Sequence, residues 1–77
     1  MREVIINRLY RHFKGNLYYV KDVAQHTETG EMMVVYQAMY GEYGTFVREV
    51  DMFLEEVDPE REGNVTGQKY RFELYEK

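Results

Sequence analysis

The stretch EMMVVYQAMY, residues 31–40, decides the fold of this chain. Under a two-residue period one face carries Met32, Val34, Tyr36, Ala38 and Tyr40, and the other carries Met33, Val35 and Met39, interrupted by Gln37. A strand that is apolar on both faces is covered on both sides. We therefore predict that this stretch is the central strand of a β-sheet.

Four further segments have the composition of strands, being rich in Tyr, Phe, Val and Thr. They are residues 9–13, 16–25, 45–50 and 70–76. The connections around the central stretch are tight. Gly30 supplies a left-handed residue to close the first turn, and Gly41 and Gly44 bracket the second. These connections predict an antiparallel meander.

The chain changes character before the last predicted strand. Phe53 and Val57 are four residues apart and Asp51 is placed to cap the start, which predicts one helical or 3-10 turn over residues 51–57. Residues 58–69 hold the only proline, two glycines and five charges, which is typical of a solvated loop. This order predicts an all-β, small SH3-like barrel of about five antiparallel strands. An open antiparallel sheet carrying one helical turn is the alternative.

Length and composition predict a single domain over residues 1–77 with a thin core. The chain has no cysteine and no His/Cys cluster, so we expect no structural metal and no cofactor. Twelve Tyr and Phe residues supply the packing instead. Residues 4–6, Val-Ile-Ile, either extend the first strand or form a brief helix.

No segment has the length of a membrane span or of a secretory signal, so we expect a cytoplasmic protein with no membrane partner. The net charge of −4 is uneven: residues 1–25 carry five cations and two anions, and residues 26–77 carry five cations and twelve anions. The acidic total disfavours non-specific nucleic-acid binding. The basic first third leaves room for a local patch.

Several short motifs follow one another in a recognisable order. They are YRHFKG (residues 10–15), AQHTET (24–29), VVYQA (34–38), YG (40–41), FVR (46–48) and MFLE (52–55). Over residues 10–57 the chain resembles the bacterial domain-of-unknown-function family sixteen fifty-three (DUF1653). Members of that family usually carry Trp where this chain has Phe46. Since the family has no assigned activity, the resemblance implies no catalytic or binding residues.

The candidate binding surface consists of cations and tyrosines on the predicted strands: Tyr10, Arg11, His12, Lys14, Tyr36, Tyr40 and Arg48. Cations interleaved with aromatic rings are typical of surfaces that bind phosphates and stack bases. Solvated cations around a core strand are the alternative interpretation. Arg48 shares a largely apolar face and must be paired or bind something, and an internal ion pair with neighbouring carboxylates is favoured over a ligand anion. His26 is expected to belong to its turn.

No catalytic constellation is recognisable, so we expect a non-enzymatic binding module. Its partner would be a single-stranded nucleic acid or a peptide segment. The alternative is an accessory or assembly domain that acts through self-association or a protein partner, using residues 4–6 and exposed aromatic side chains. An enzyme that uses His12 with a carboxylate is the least favoured hypothesis, because spacing identifies no partner for it.

Overall fold

The computed structural model describes residues 3–76, so Met1, Arg2 and Lys77 of the expected domain, residues 1–77, lie outside the described part. Five strands and one short helix form in this order: β1 (Arg8–His12), β2 (Leu17–Gln25), β3 (Met32–Ala38), β4 (Thr45–Glu49), α1 (Val50–Phe53) and β5 (Phe72–Leu74). All neighbouring strands pair antiparallel. The predicted all-β class, strand number and helical turn before the last strand are confirmed. No helix of the described residues is both long and apolar enough to span a membrane.

The strands form one sheet in the order β4-β3-β2-β1-β5. The central strand is therefore β2, and the prediction that β3 is central was wrong. An apolar pattern on both faces shows that a strand is covered, but it does not show how many strands lie beyond it. The nine-residue β2 takes the middle because it pairs along its length with both β1 and β3.

The sheet is not closed into a barrel, so the SH3-like expectation holds for the number and order of strands but not for closure. Within residues 3–76, β4 and β5 remain at opposite edges. An isolated bridge between Glu56 and Tyr70 joins the segment after α1 to the residues before β5. The pairing of β2 with β3 shifts register between Val20 and Asp22. A bulge of this kind increases the local twist and bends the strand.

Aromatic rings build the core on the inner face of the sheet. Phe53 of α1 stacks on Phe72 of β5, with ring centroids 4.1 Å apart and planes 4° apart. Tyr10 of β1 meets Phe53 edge-on at 5.3 Å and is 1% exposed. Val20 and Val34 complete the fully buried set. Large rings on strands far apart in sequence thus compensate for the shortness of the chain.

The N-terminal segment adopts neither of the two predicted forms. Residues 3–5 are irregular, and a turn at residues 6–7 leads into β1. Asn7 has a φ of 62° in this turn. The backbone N–H of Ile5 donates to the Tyr10 hydroxyl at 3.0 Å, which ties the segment to the core.

The helical turn and the loop differ from prediction in detail. Helix α1 begins at Val50 with Glu49 before it, no side chain caps its start, and Asp51 lies inside its first turn. Residues 58–69 are mostly exposed, as expected of a loop. Gln68 is the exception, because its Nε2 donates to the carbonyl groups of Arg11 and Tyr70 and holds the side chain in the interior.

Candidate functional site

Three tyrosines from two neighbouring strands form a cluster at one end of the inner face. Tyr18 of β2 lies edge-on to Tyr36 of β3 at 5.5 Å and to Tyr40 at 5.6 Å. The hydroxyl groups of Tyr18 and Tyr40 are hydrogen-bonded at 2.7 Å. We call Tyr18, Tyr36 and Tyr40 the tyrosine cluster. Its members run from buried Tyr36 to Tyr40, which is 43% exposed, so the cluster connects the core to the surface.

The Tyr18 hydroxyl is held in its neutral form. Burial raises its pKa well above the usual range, and the hydrogen bond from Tyr40 adds to this effect. A neutral phenol both donates and accepts hydrogen bonds. The hydroxyl pair can therefore turn either a donor or an acceptor toward a molecule at the surface.

Arg48 enters this cluster from the edge strand β4. It pairs with Val34 across the sheet, so its side chain lies on the inner face. Its Nε donates to the Tyr36 hydroxyl at 3.2 Å, and its guanidinium carbon lies 5.9 Å from the centre of the Phe72 ring. The ion pair that the sequence favoured is wrong, because no carboxylate of residues 3–76 lies within 4.0 Å of this guanidinium. Arg48 is thus a half-buried cation without a counter-ion in the described chain.

The reason lies in where the neighbouring carboxylates are placed. Glu49 follows Arg48 in the strand and lies on the opposite face, where it shares a hydrogen bond with Glu31 that raises the Glu49 pKa. Asp51 is inside α1. Adjacent positions in a strand alternate between faces, so nearness in sequence does not bring these acids to Arg48.

His12 ends β1 and lies among aromatic rings. Its ring stacks on Phe13 at 4.4 Å and meets Phe72 edge-on at 4.8 Å. Nδ1 accepts a hydrogen bond from the backbone N–H of Lys14 at 3.1 Å. In the neutral imidazole the proton is therefore on Nε2, which is a donor. With its lone pair at Nδ1 already occupied, His12 is poorly arranged to act as a general base.

Cations surround the imidazole and disfavour its protonation. The pKa of His12 falls from 6.5 to about 4, first because the ring is partly buried and then because of the charges on Arg71, Arg48, Lys14 and Arg61. Arg71 donates through Nε and Nη2 to Glu55, so its charge is compensated. Arg61 lies over the Phe13 ring at 5.0 Å. In the described part of the chain neither Lys14 nor Arg61 has a carboxylate partner.

We call His12, Lys14, Arg48 and Arg61 the cation–histidine site. It adjoins the tyrosine cluster, because Arg48 contacts Tyr36 and the His12 ring lies 6.2 Å from that of Tyr18. The two groups together present donors from three strands and one loop. Such an arrangement can bind an anion.

The structure brings most of the sequence-predicted surface together and leaves two members out. His12, Lys14, Tyr36, Tyr40 and Arg48 belong to the combined surface. Tyr10 lies in the core. Arg11 points the other way from His12, with its guanidinium 4.8 Å above the Tyr75 ring, beside a separate cavity of about 240 Å³.

Sequence reasoning missed three contributors, Tyr18, Arg61 and Phe72. Tyr18 carried a usable signal, since it is one of two adjacent tyrosines on the strand predicted to pair with residues 31–40. Arg61 lies in the acidic loop, 47 positions after Lys14, and only the folded chain brings it to Phe13. His26 is in its turn as expected, where Nδ1 accepts from the N–H groups of Glu28 and Thr29. No three His, Asp or Glu side chains of residues 3–76 are grouped to hold a metal ion.

Comparisons with known proteins place the chain in one family. The model of the protein of unknown function DUF1653 matches residues 8–74, which adds β5 and the preceding loop to the resemblance over residues 10–57. The chain is similar to a crystal structure of a DUF1653 protein from Bordetella bronchiseptica, with 32% identity and a TM-score of 0.72 over 92% of this chain and 86% of that one. None of the curated proteins matches it. With two-thirds or more of its length matched by the family model, the chain belongs to the DUF1653 family.

Proposed function

We propose that this domain is a non-enzymatic binding module for single-stranded nucleic acid, and that the cation–histidine site and the tyrosine cluster form its contact surface. The observation that carries the proposal is Arg48, a half-buried cation among aromatic rings that has no carboxylate partner in residues 3–76. A charge removed from water is costly unless it is paired. A ligand anion would supply the missing partner.

The sign of the charges favours an anionic ligand over a neutral peptide. The groups beside Arg48 are Lys14, Arg61 and the Nε2–H of His12, which are all hydrogen-bond donors. They form a local positive region on a chain of net charge −4. The surrounding negative charge would repel a polyanion from the rest of the molecule and so restrict binding to this surface.

Exposed aromatic rings favour nucleic acid among the anions. Tyr40 is 43% exposed and Phe46, on the same strand as Arg48, is 50% exposed. The Phe46 ring lies 6.0 Å from that of Tyr36, so it continues the tyrosine cluster to the edge of the sheet. Base–aromatic stacking contributes about 1–3 kcal/mol per base, and it requires unpaired bases.

The test is a titration of amide NMR spectra and fluorescence anisotropy with a short mixed-sequence RNA, as a single strand and as a duplex. We expect the single strand to bind, with affinity falling as salt rises. Arg48→Met should weaken binding at least tenfold. Lys21→Met is the matched control, because it removes the same charge from an exposed residue of β2 that is not among the cations acting on His12.

Two outcomes would contradict the proposal. One is the absence of any amide shift at low salt with either RNA. The other is equal weakening by Arg48→Met and Lys21→Met, which would make the attraction a property of total charge rather than of this surface. A thermal melt of each variant establishes that it is folded.

A second candidate function is assembly, with another copy or a protein partner covering exposed apolar groups. What favours it is that Ile5 and Ile6 are each 43% exposed and Val47 on the edge strand β4 is 60% exposed. Light scattering after size exclusion tests the homo-oligomer version. A monomer at millimolar concentration would remove it.

A further inference from the structure

Three cations without carboxylate partners in residues 3–76 converge on His12 by separate routes. Lys14 is held by the hydrogen bond of its N–H to Nδ1. Arg61 lies over the ring of Phe13, which stacks on the imidazole. Arg48 approaches the ring of Phe72, whose face or edge the imidazole also meets. The site therefore collects about three positive charges and one neutral N–H donor.

This excess of charge decides between two kinds of phosphate. A phosphodiester inside a strand carries a single negative charge. A phosphate monoester carries about −1.5 to −2 at neutral pH and offers three acceptor oxygens. Guanidinium groups bind such oxygens in pairs and an ammonium group binds as a point charge, so Arg48, Arg61 and Lys14 with the His12 Nε2–H match the monoester better.

Neighbouring acids do not offset the charge. Glu55 is engaged by Arg71 on both Nε and Nη2. Arg71 is thus excluded from the count, and its pair with Glu55 closes one side of the site. The tyrosine hydroxyls of Tyr18 and Tyr40 add neutral donors next to it.

We infer that the cation–histidine site binds a phosphate monoester, and that the domain therefore holds the phosphorylated end of a single strand. This inference rests on the proposed function, which it makes more specific. The end phosphate would lie between Arg48, Arg61 and Lys14. The first bases would stack toward Tyr40 and Phe46.

The experiment compares one RNA sequence with a 5′-phosphate, a 3′-phosphate or hydroxyl groups at both ends, together with AMP and inorganic phosphate. Binding is measured by anisotropy competition and by amide shifts at His12, Lys14 and Arg61. We expect one phosphorylated RNA to bind at least tenfold more tightly than the hydroxyl RNA. Arg61→Met, in an exposed loop, should abolish that preference, and Lys21→Met should keep it.

The failures of the two proposals are distinguishable. Equal affinity for phosphorylated and hydroxyl RNA would overturn the inference and leave the single-strand proposal standing. Absence of binding by every RNA would overturn the proposed function. If AMP or inorganic phosphate binds as tightly as the phosphorylated RNA, the monoester site is supported and a free small phosphate replaces the strand as its source.

Discussion

Lowering the pH from 7 to 5 should destabilise this domain through His12. The pKa of this imidazole in the folded chain is about 4, against 6.5 when it is unperturbed. The unfolded chain therefore binds a proton at a pH where the folded chain does not. The stability that neutral His12 contributes is present above pH 6.5 and is lost as the pH falls from 6.5 to 4.

The magnitude follows from the width of that window. Without screening, the shift would lower the free energy of unfolding by about 2 kcal/mol between pH 7 and pH 5. The ring is only partly buried and solvent screens the cations around it, so about 1 kcal/mol is the expected loss. The groups that face the imidazole are Arg48, Arg61, Arg71, Lys14 and Tyr18, and none of these cations titrates in this range.

The assay is urea unfolding of the wild type and of His12→Asn at both pH values. Asparagine keeps an acceptor for the Lys14 N–H and removes the titration. The wild type should lose about 1 kcal/mol more than the variant on going to pH 5. Equal losses, or an NMR titration that gives His12 a pKa of 6.5 or higher, would refute the account of its surroundings.

Three substitutions test the core and a turn by urea unfolding at pH 7. Tyr10→Phe removes the acceptor for the Ile5 N–H and should cost about 1 kcal/mol; an unchanged midpoint would mean that the N-terminal segment is not tied down there. Phe72→Ala removes a ring stacked on Phe53 and should cost about 3–5 kcal/mol, whereas a loss under 1 kcal/mol would contradict the assigned core. Gly30→Ala places a side chain at φ 77° and should cost about 1 kcal/mol, and a stabilised variant would contradict that turn.

The strands were predictable because their patterns are local. The alternation in residues 31–40 places Val34, Tyr36 and Ala38 on the buried face, and these three are buried. The left-handed Gly30 was likewise predictable from the turn that it closes. Strand rank was not, since β2 owes its central place to pairing with two strands on opposite sides. Closure of the sheet depends on edges that no local pattern describes.

The candidate site was predictable in its residue types and not in its electrostatics. Alternation placed Arg48 on an apolar face, and that was correct. It could not show that Glu49 would turn away and leave the guanidinium with a tyrosine hydroxyl instead of a carboxylate. Arg61 contributes from an acidic loop whose composition favours a solvated segment. A counter-ion is a property of three-dimensional contacts, so its absence becomes visible only in the fold.

The position of the site explains how a thin core can carry an uncompensated cation. Phe72 is stacked on Phe53 on one side and lies near His12 and Arg48 on the other, so one ring serves both the core and the site. Attraction between Arg48 and the ring face offsets part of the cost of removing the guanidinium from water. The hydrogen bond to Tyr36 offsets another part. The remaining cost is what a bound phosphate would recover, which is why binding and stability should rise together when a phosphorylated ligand is added.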